Sequence, residues 1–150
     1  MRRTFLESTT LRWNPAMEIT CFDDLLRAAH AQPEPQRLLF VFTGVELPDD
    51  ATAEQRAAFD AGHGGALVPR MCVDKLPAEI DSFDTLVQES QQFGQEWVIV
   101  FVAAMSGALN HVPTSEEAEQ PLQRMVESIK QGMLGSFIPF NRQGETVHFG

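Results

Sequence analysis

Cysteine is scarce in this chain and tyrosine is absent, with two Cys and no Tyr among 150 residues. Cys21 and Cys72 are too far apart in the sequence to form a CxxC redox or zinc-binding pair, and two thiols cannot build a disulfide framework. Because proteins of the cytoplasm keep their thiols reduced, the cysteine usage favours a cytoplasmic protein.

Long apolar runs are also absent. The longest, residues 38–42 and 97–105, are much shorter than the roughly 20 residues of a membrane-spanning helix. Arg2 and Arg3 are not followed by the apolar segment of a secretion signal. We therefore expect neither membrane association nor export.

Positive charge is in deficit, since 11 basic residues face 21 acidic ones and the formal net charge is -10. Such a chain repels phosphate backbones, so we expect no nucleic-acid partner. The first sixteen residues carry a local charge of +2, whereas residues 17–150 carry -12. We interpret residues 1–16 as an extra N-terminal arm, either disordered or translated from a start codon assigned upstream of Met17, and residues 17–150 as one domain.

Two continuous apolar runs are typical of strands that are covered on both faces. They span residues 37–43 and 97–105, and we predict both as central strands. Residues 66–75 predict a third strand. Pro69 removes a ladder donor there and Arg70 interrupts the apolar run, so we expect an edge or bulged position.

Helical patterns lie between the predicted strands. Capping-box spacings and a proline suited to a first helical turn mark where they begin, at Thr20, Thr52, Pro77 and Thr114. The last of these is a long helix that Pro121 either kinks or restarts.

The C-terminal residues predict a β-hairpin, in which residues 137–140 and 146–149 flank a turn with Gly144 at a position of positive φ. Because helices and strands alternate along the chain, we predict a single α/β domain. Its sheet is expected to be mixed and partly parallel, and to end in this C-terminal hairpin.

The glycine-rich segment Gly62-His63-Gly64-Gly65 is the best candidate for a ligand-binding loop. Glycines allow backbone amides to approach an anion, and the His63 imidazole could donate, accept or transfer a proton. The spacing matches neither a dinucleotide-binding motif nor a P-loop, so a plain helix-to-strand connection is the alternative. Cys72 and Asp74 complete the candidate ligand-binding set, although a buried, structural Cys72 is the competing interpretation.

No other pattern predicts chemistry. The histidines do not have metal-ligand spacing, and the sequence has no nucleophile elbow around a serine. We therefore predict no metal, no cofactor and no catalytic residue. The four histidines are His30, His63, His111 and His148.

Several stretches together resemble a known family. From Met17 onwards the chain is similar to short proteobacterial proteins that carry the label "ribonucleotide reductase subunit alpha". The matching stretches lie at residues 22–26, 32–42, 46–50, 64–69, 71–75 and 137–140. The family supplies no established catalytic residue to transfer to this chain.

The label itself conflicts with the composition. A reductase catalytic subunit needs a radical-bearing cysteine and a separate redox pair of cysteines inside a barrel several times longer than this chain. Two thiols cannot supply that chemistry, so we expect that the chain is not a ribonucleotide reductase catalytic subunit.

Two hypotheses of function follow. The first is a small cytoplasmic accessory protein without catalytic activity, which binds a protein partner through its surface. Its negative charge would favour a basic patch on that partner and make the association sensitive to salt. The alternative is a small-molecule-binding domain or enzyme with a site around Gly62–Gly65, in which His63 acts as acid or base near Cys72 or Asp74.

Overall fold

The structure is a computed structural model that describes residues 19–47, 49–61, 65–94, 96–108 and 110–148. The arm predicted at residues 1–16 lies outside the described residues. The elements in chain order are α1 (Phe22–His30), β1 (Gln36–Glu46), α2 (Ala53–Asp60), β2 (Ala66–Lys75), a 3-10 helix (Pro77–Glu79), α3 (Phe83–Gln91), β3 (Ile99–Ser106), α4 (Ser115–Lys130) and β4 (Ile138–Phe140).

The four strands form one sheet in the order β2-β1-β3-β4, and every neighbouring pair is antiparallel. The prediction of a mixed, partly parallel sheet is therefore wrong. The predictions of β1 and β3 as central strands are confirmed, since each has a neighbour on both sides.

The apolar runs of β1 and β3 arise because helices cover both faces of the antiparallel sheet. On one face, α1 and α3 pack over alternate residues of β1, including Phe40 and Phe42. On the other face, α4 packs over the intervening residues Leu39 and Val41. A strand that is buried on both faces is apolar at every position, whatever the direction of its neighbours.

Helix α2 shows why alternation of helices and strands did not produce a parallel sheet. None of its described side chains is buried, and it joins β1 to its antiparallel neighbour β2. The helix is therefore part of a long connection between adjacent strands rather than a crossover packed on the sheet.

The capping boxes that were predicted at Thr52 and Thr114 are both present. α4 continues through Pro121 without interruption. The predicted start of the middle helix at Pro77 is wrong, because Pro77 opens a short 3-10 helix instead. Helix α3 begins at Phe83, after Ser82, whose hydroxyl accepts a hydrogen bond from the Thr85 amide. Within the described part of the chain, no helix has the length and apolar composition needed to cross a membrane.

The predicted C-terminal hairpin is also wrong. Gly144 does take a positive φ of 80°, but the residues after it form isolated bridges rather than a strand, Glu145 with Cys21 and Thr146 with Phe140. The reason is that backbone groups of this segment also form hydrogen bonds with the residues at the start of α1. Phe22 donates to the Gly144 carbonyl and Thr146 donates to the Thr20 carbonyl. Val147 donates to the Pro139 carbonyl of β4, so the segment divides its backbone bonds between the start of α1 and β4.

The edge position and the bulge predicted for β2 are confirmed. The register with β1 shifts between Phe42 and Thr43, which oppose Met71 and Pro69, so Arg70 is the extra residue. Its guanidinium occupies the space that a Cβ on Gly44 would need, and it also reaches the Glu46 carboxylate at 3.3 Å. Gly44 is therefore the residue of β1 that makes room for the bulge.

Trp97 joins the end of α3 to the entrance of β3. It is 2% exposed, and its indole Nε1 donates to the hydroxyl of Ser90 at 2.8 Å, while Ser90 donates to the Val87 carbonyl at 2.6 Å. The guanidinium of Arg142 lies 4.7 Å from the centre of the indole. A buried indole N–H needs such an acceptor, because an unpaired donor retains its full desolvation cost.

We expect Ser90→Ala to lower the free energy of unfolding by about 1–3 kcal/mol, because it leaves the Trp97 N–H without its acceptor. Urea denaturation followed by tryptophan fluorescence measures the change. Gln91→Ala, at the exposed neighbour on the same helix, is the control and should alter stability by less than about 0.5 kcal/mol. Equal effects of the two substitutions would contradict this role of Ser90.

Candidate functional site

Of the candidate residues from the sequence, Gly65 immediately precedes β2, and Cys72 and Asp74 lie near its end. Gly62, His63 and Gly64 lie outside the described residues. Gly65 precedes β2 with a φ of 88°, and a Cβ there would lie 2.6 Å from Val45 Cγ1. Glycine is therefore required at position 65 by both backbone and packing.

Cys72 and Asp74 are close to each other but far from Gly65. Seven residues separate Gly65 from Cys72, and at roughly 3.3 Å per residue an extended chain of that length covers about 20 Å. The side chains of Cys72 and Asp74 lie on the α4 face of the sheet, opposite Val41 and Leu39. A site that combines Cys72 with the glycine-rich loop stays a prediction.

The interpretation of Cys72 as a buried cysteine is wrong, because the residue is exposed. It lies on an edge strand, where only one neighbouring strand shields it. Partial desolvation of the thiol and the nearby Asp74 carboxylate both raise its pKa above the ordinary value. Since the thiolate is the nucleophile, this environment opposes nucleophilic chemistry at Cys72.

Asp74 belongs to a polar cluster that connects β1, β2 and α4. Its carboxylate accepts from Arg37 at 2.5 Å and from the Ser115 hydroxyl at 2.6 Å. Arg37 is 8% exposed and also donates to the Pro113 carbonyl at 2.7 Å. These contacts satisfy the buried charge of Arg37 and the carboxylate that pairs with it. Asp74 therefore has a structural role.

A groove lies between β2 and α3, on the opposite face of the sheet from Asp74's carboxylate. Its volume is about 430 Å³, within the range of ligand-binding clefts. The larger part of its lining surface is apolar, and the apolar lining residues are Phe42, Met71, Val73, Leu86 and Phe93. The other lining residues are Asp74, Lys75, Glu89, Ser90 and Gln92. The groove forms because β2 extends beyond the helices that cover β1 on this face, so Met71 and Val73 are only partly buried.

Phe93 is the most exposed large apolar side chain among the described residues, at 63%. It follows α3 and lies just before Gly94, whose φ of 71° ends the helical turn. An exposed phenylalanine at the mouth of an apolar groove marks a surface where a partner can bury it.

The charged residues that line the groove are Asp74, Lys75 and Glu89. Lys75 on β2 pairs with Glu89 on α3 at 2.9 Å. Between Lys75 and Arg124 the sequence contains no lysine or arginine but eight acidic residues. Five of these, Glu79, Asp81, Asp84, Glu89 and Glu96, lie in α3 or within five residues of it in the sequence, so this part of the chain carries an excess of negative charge.

A second cavity runs along α4 and has a volume of about 510 Å³. Most of its lining side chains are polar, such as Gln120, Arg124 and Glu127, and they project from the exposed side of one helix. Met125 and Phe137 also line this cavity, and both are almost fully buried. We take the groove beside β2 as the candidate site because a large, exposed aromatic side chain, Phe93, lines it.

Sequence reasoning missed this groove. Phe93 lies immediately after the apolar stripe of α3, and its position before Gly94 could have indicated an exposed side chain at a helix end. The pairing of Lys75 with Glu89 had no signal in the sequence, because it depends on where α3 lies relative to β2.

Known proteins add no further assignment, since neither a family model, nor a curated protein, nor a solved structure matches the chain. Among the side chains that the structure describes, no group of three His, Cys, Asp or Glu residues is placed to hold a metal ion. The chemistry of the groove therefore follows from its lining residues alone.

We expect Asp74→Ala to lower the free energy of unfolding by about 2–3 kcal/mol, because it leaves Arg37 buried without its carboxylate. In an Arg37→Met background the same substitution should cost less than about 1 kcal/mol, since the buried charge is gone. Urea denaturation of the four proteins gives the coupling. Additive losses would show that the ion pair is not the reason for Asp74's importance.

We expect the alkylation of Cys72 by iodoacetamide to reach half its maximal rate at a higher pH than that of a cysteine in a short peptide. The raised pKa keeps the thiol protonated, so less thiolate is present at any pH below it. A Cys21→Ser protein isolates the Cys72 reaction, which mass spectrometry follows. A midpoint at or below that of the peptide would contradict the assigned environment.

Proposed function

We propose that this chain is an accessory protein that binds a partner protein through the groove between β2 and α3. The observation that carries the proposal is the exposed Phe93 at the mouth of an apolar groove. Exposed aromatic side chains at such positions commonly supply the central anchor of an interface. We propose that the protein acts by binding, without a catalytic step of its own.

The charge of the chain selects the partner. The acidic residues around α3 and the formal net charge of -10 favour a partner with a basic patch next to an apolar side chain. Opposite charges accelerate the encounter and disfavour partners of the wrong sign. Salt screens this attraction, so the complex should weaken as ionic strength rises.

A cytoplasmic location and membership in the family that the sequence resembles are part of the same proposal. The cysteines support the location, since both Cys21 and Cys72 are free thiols. Within that family this chain would act as a binding protein rather than as a reductase subunit.

The test is a pull-down from a lysate of the source organism with the tagged full chain, compared with Phe93→Ser and Met133→Ser. Met133 is the matched control, because it is 57% exposed and lies beyond α4, away from the groove. We expect the Phe93 variant to retain about tenfold less of the partner, and the Met133 variant to retain it fully.

The same pull-down at low and at high salt tests the charge. The proposal predicts a stoichiometric partner with a basic surface that is released at high salt. It is wrong if the captured protein binds Phe93→Ser as well as the natural chain. Capture of no protein, together with a metabolite that protects Phe93 from solvent, would favour a small-molecule site in the groove instead.

A further inference from the structure

Strand β2 offers backbone groups as well as a groove. It is the last strand on its side of the sheet, and within the described residues no strand pairs with its outer side. An unpaired edge presents N–H and C=O groups that can bond to another chain. Alternate residues of a strand turn these groups to opposite sides, so only some residues of β2 direct them outward.

The hydrogen bonding of β1 with β3 shows which residues of β1 turn their backbone groups toward β2. The Gly107 amide donates to the Pro35 carbonyl at 2.8 Å, one step beyond the pairing of Gln36 with Ser106. Since hydrogen-bonded and non-hydrogen-bonded pairs alternate in antiparallel sheets, odd-numbered residues of β1 turn their backbone groups toward β3. The even-numbered residues Leu38 and Phe40 turn theirs toward β2.

The partners of these even-numbered residues on β2 therefore direct their own backbone groups inward. Leu38, Phe40 and Phe42 pair with Lys75, Val73 and Met71. The residues between them, Cys72 and Asp74, must turn their N–H and C=O groups to the open edge.

The other half of β2 is protected against such pairing. Pro69 has no N–H, and the bulge at Arg70 interrupts the regular ladder. Prolines and bulges are the usual means by which edge strands avoid uncontrolled association. Only the segment Met71–Lys75 keeps a regular free edge, and this same segment forms one wall of the groove.

We propose that a basic partner binds as an extended segment that adds a fifth strand to the sheet along Met71–Lys75. The inference rests on the proposed function and specifies how the groove is used. The outward N–H and C=O groups of Cys72 and Asp74 form the backbone bonds. Partner residues opposite Met71 and Val73 then direct their side chains over the groove, where an apolar residue meets Phe93.

The net charge of the protein disfavours a second copy of this chain as the added strand. Two chains of formal charge -10 repel each other. A segment with lysine or arginine next to its apolar residues is instead attracted by the net negative charge of the protein, to which five acidic residues in α3 or close to it in the sequence contribute. The recognised segment is therefore extended, basic and apolar at alternate positions.

Cys72→Pro tests the inference, because it removes an outward N–H and places a ring at the open edge while leaving the ladder with β1 intact. Cys72→Ala is the matched control, since it removes the thiol and keeps the N–H. The probe is a phage-displayed library of linear peptides of about twelve residues, selected on the full chain. The strongest selected peptide is then synthesised for titration.

We expect the selected peptides to alternate apolar residues with lysine or arginine. Cys72→Pro should weaken the binding of the synthesised peptide at least about tenfold, and Cys72→Ala should leave it unchanged. N-methylation of alternate peptide residues gives a second measurement that does not depend on how the variant folds. One set of alternate positions should abolish binding and the other should not.

Strand addition is overturned if the selection yields no peptide, or if binding tolerates both Cys72→Pro and N-methylation at either set of positions. Self-pairing of the chain that Cys72→Pro abolishes would also overturn the choice of a basic partner. A peptide or partner that depends on Phe93 but not on the Cys72 amide would refute strand addition and leave the proposed function standing. Binding that depends neither on Phe93 nor on the Cys72 amide would refute both strand addition and the proposed function.

Discussion

The burial of β1 on both faces and both edges is the constraint on which the rest of the structure depends. Residues 36–44 of this strand are all buried, including Gln36, Arg37 and Thr43. Apolar side chains on both faces require a helix layer on each side, which α1 and α3 supply on one face and α4 on the other. The one charge that β1 carries inward, Arg37, then requires Asp74 on β2 and the Pro113 carbonyl before α4.

A sheet centred on β1 leaves β2 at the edge with incomplete cover. On the α4 face, Asp74 pairs with the buried Arg37, and partial burial together with the Asp74 carboxylate raises the pKa of the Cys72 thiol. On the α3 face, Met71 and Val73 line the groove that ends at Phe93. Both features that we associate with binding, the apolar groove and the free segment of the edge, therefore arise from the position of β2 at the end of the sheet.

The sequence was sufficient where local chemistry decides structure. The capping boxes at Thr52 and Thr114 and the bulge near Pro69 depend on neighbouring residues, and all three are present. The strand directions depend on how connections cross the sheet, which an apolar run does not encode. The weak apolar face of α2 was the available signal that this helix would not cover the sheet. The groove was beyond prediction, because Phe93 and Met71 come together only through the placement of α3 over β2.

Amide hydrogen exchange of the full chain, resolved by NMR at Cys72, Val73 and Asp74, tests most directly whether β2 has a free edge with alternating backbone groups. The structure predicts fast exchange at Cys72 and Asp74, whose amides point outward, and slow exchange at Val73, whose amide bonds to β1. Equal protection of all three amides in the monomer would contradict this account, because the edge would then already be covered.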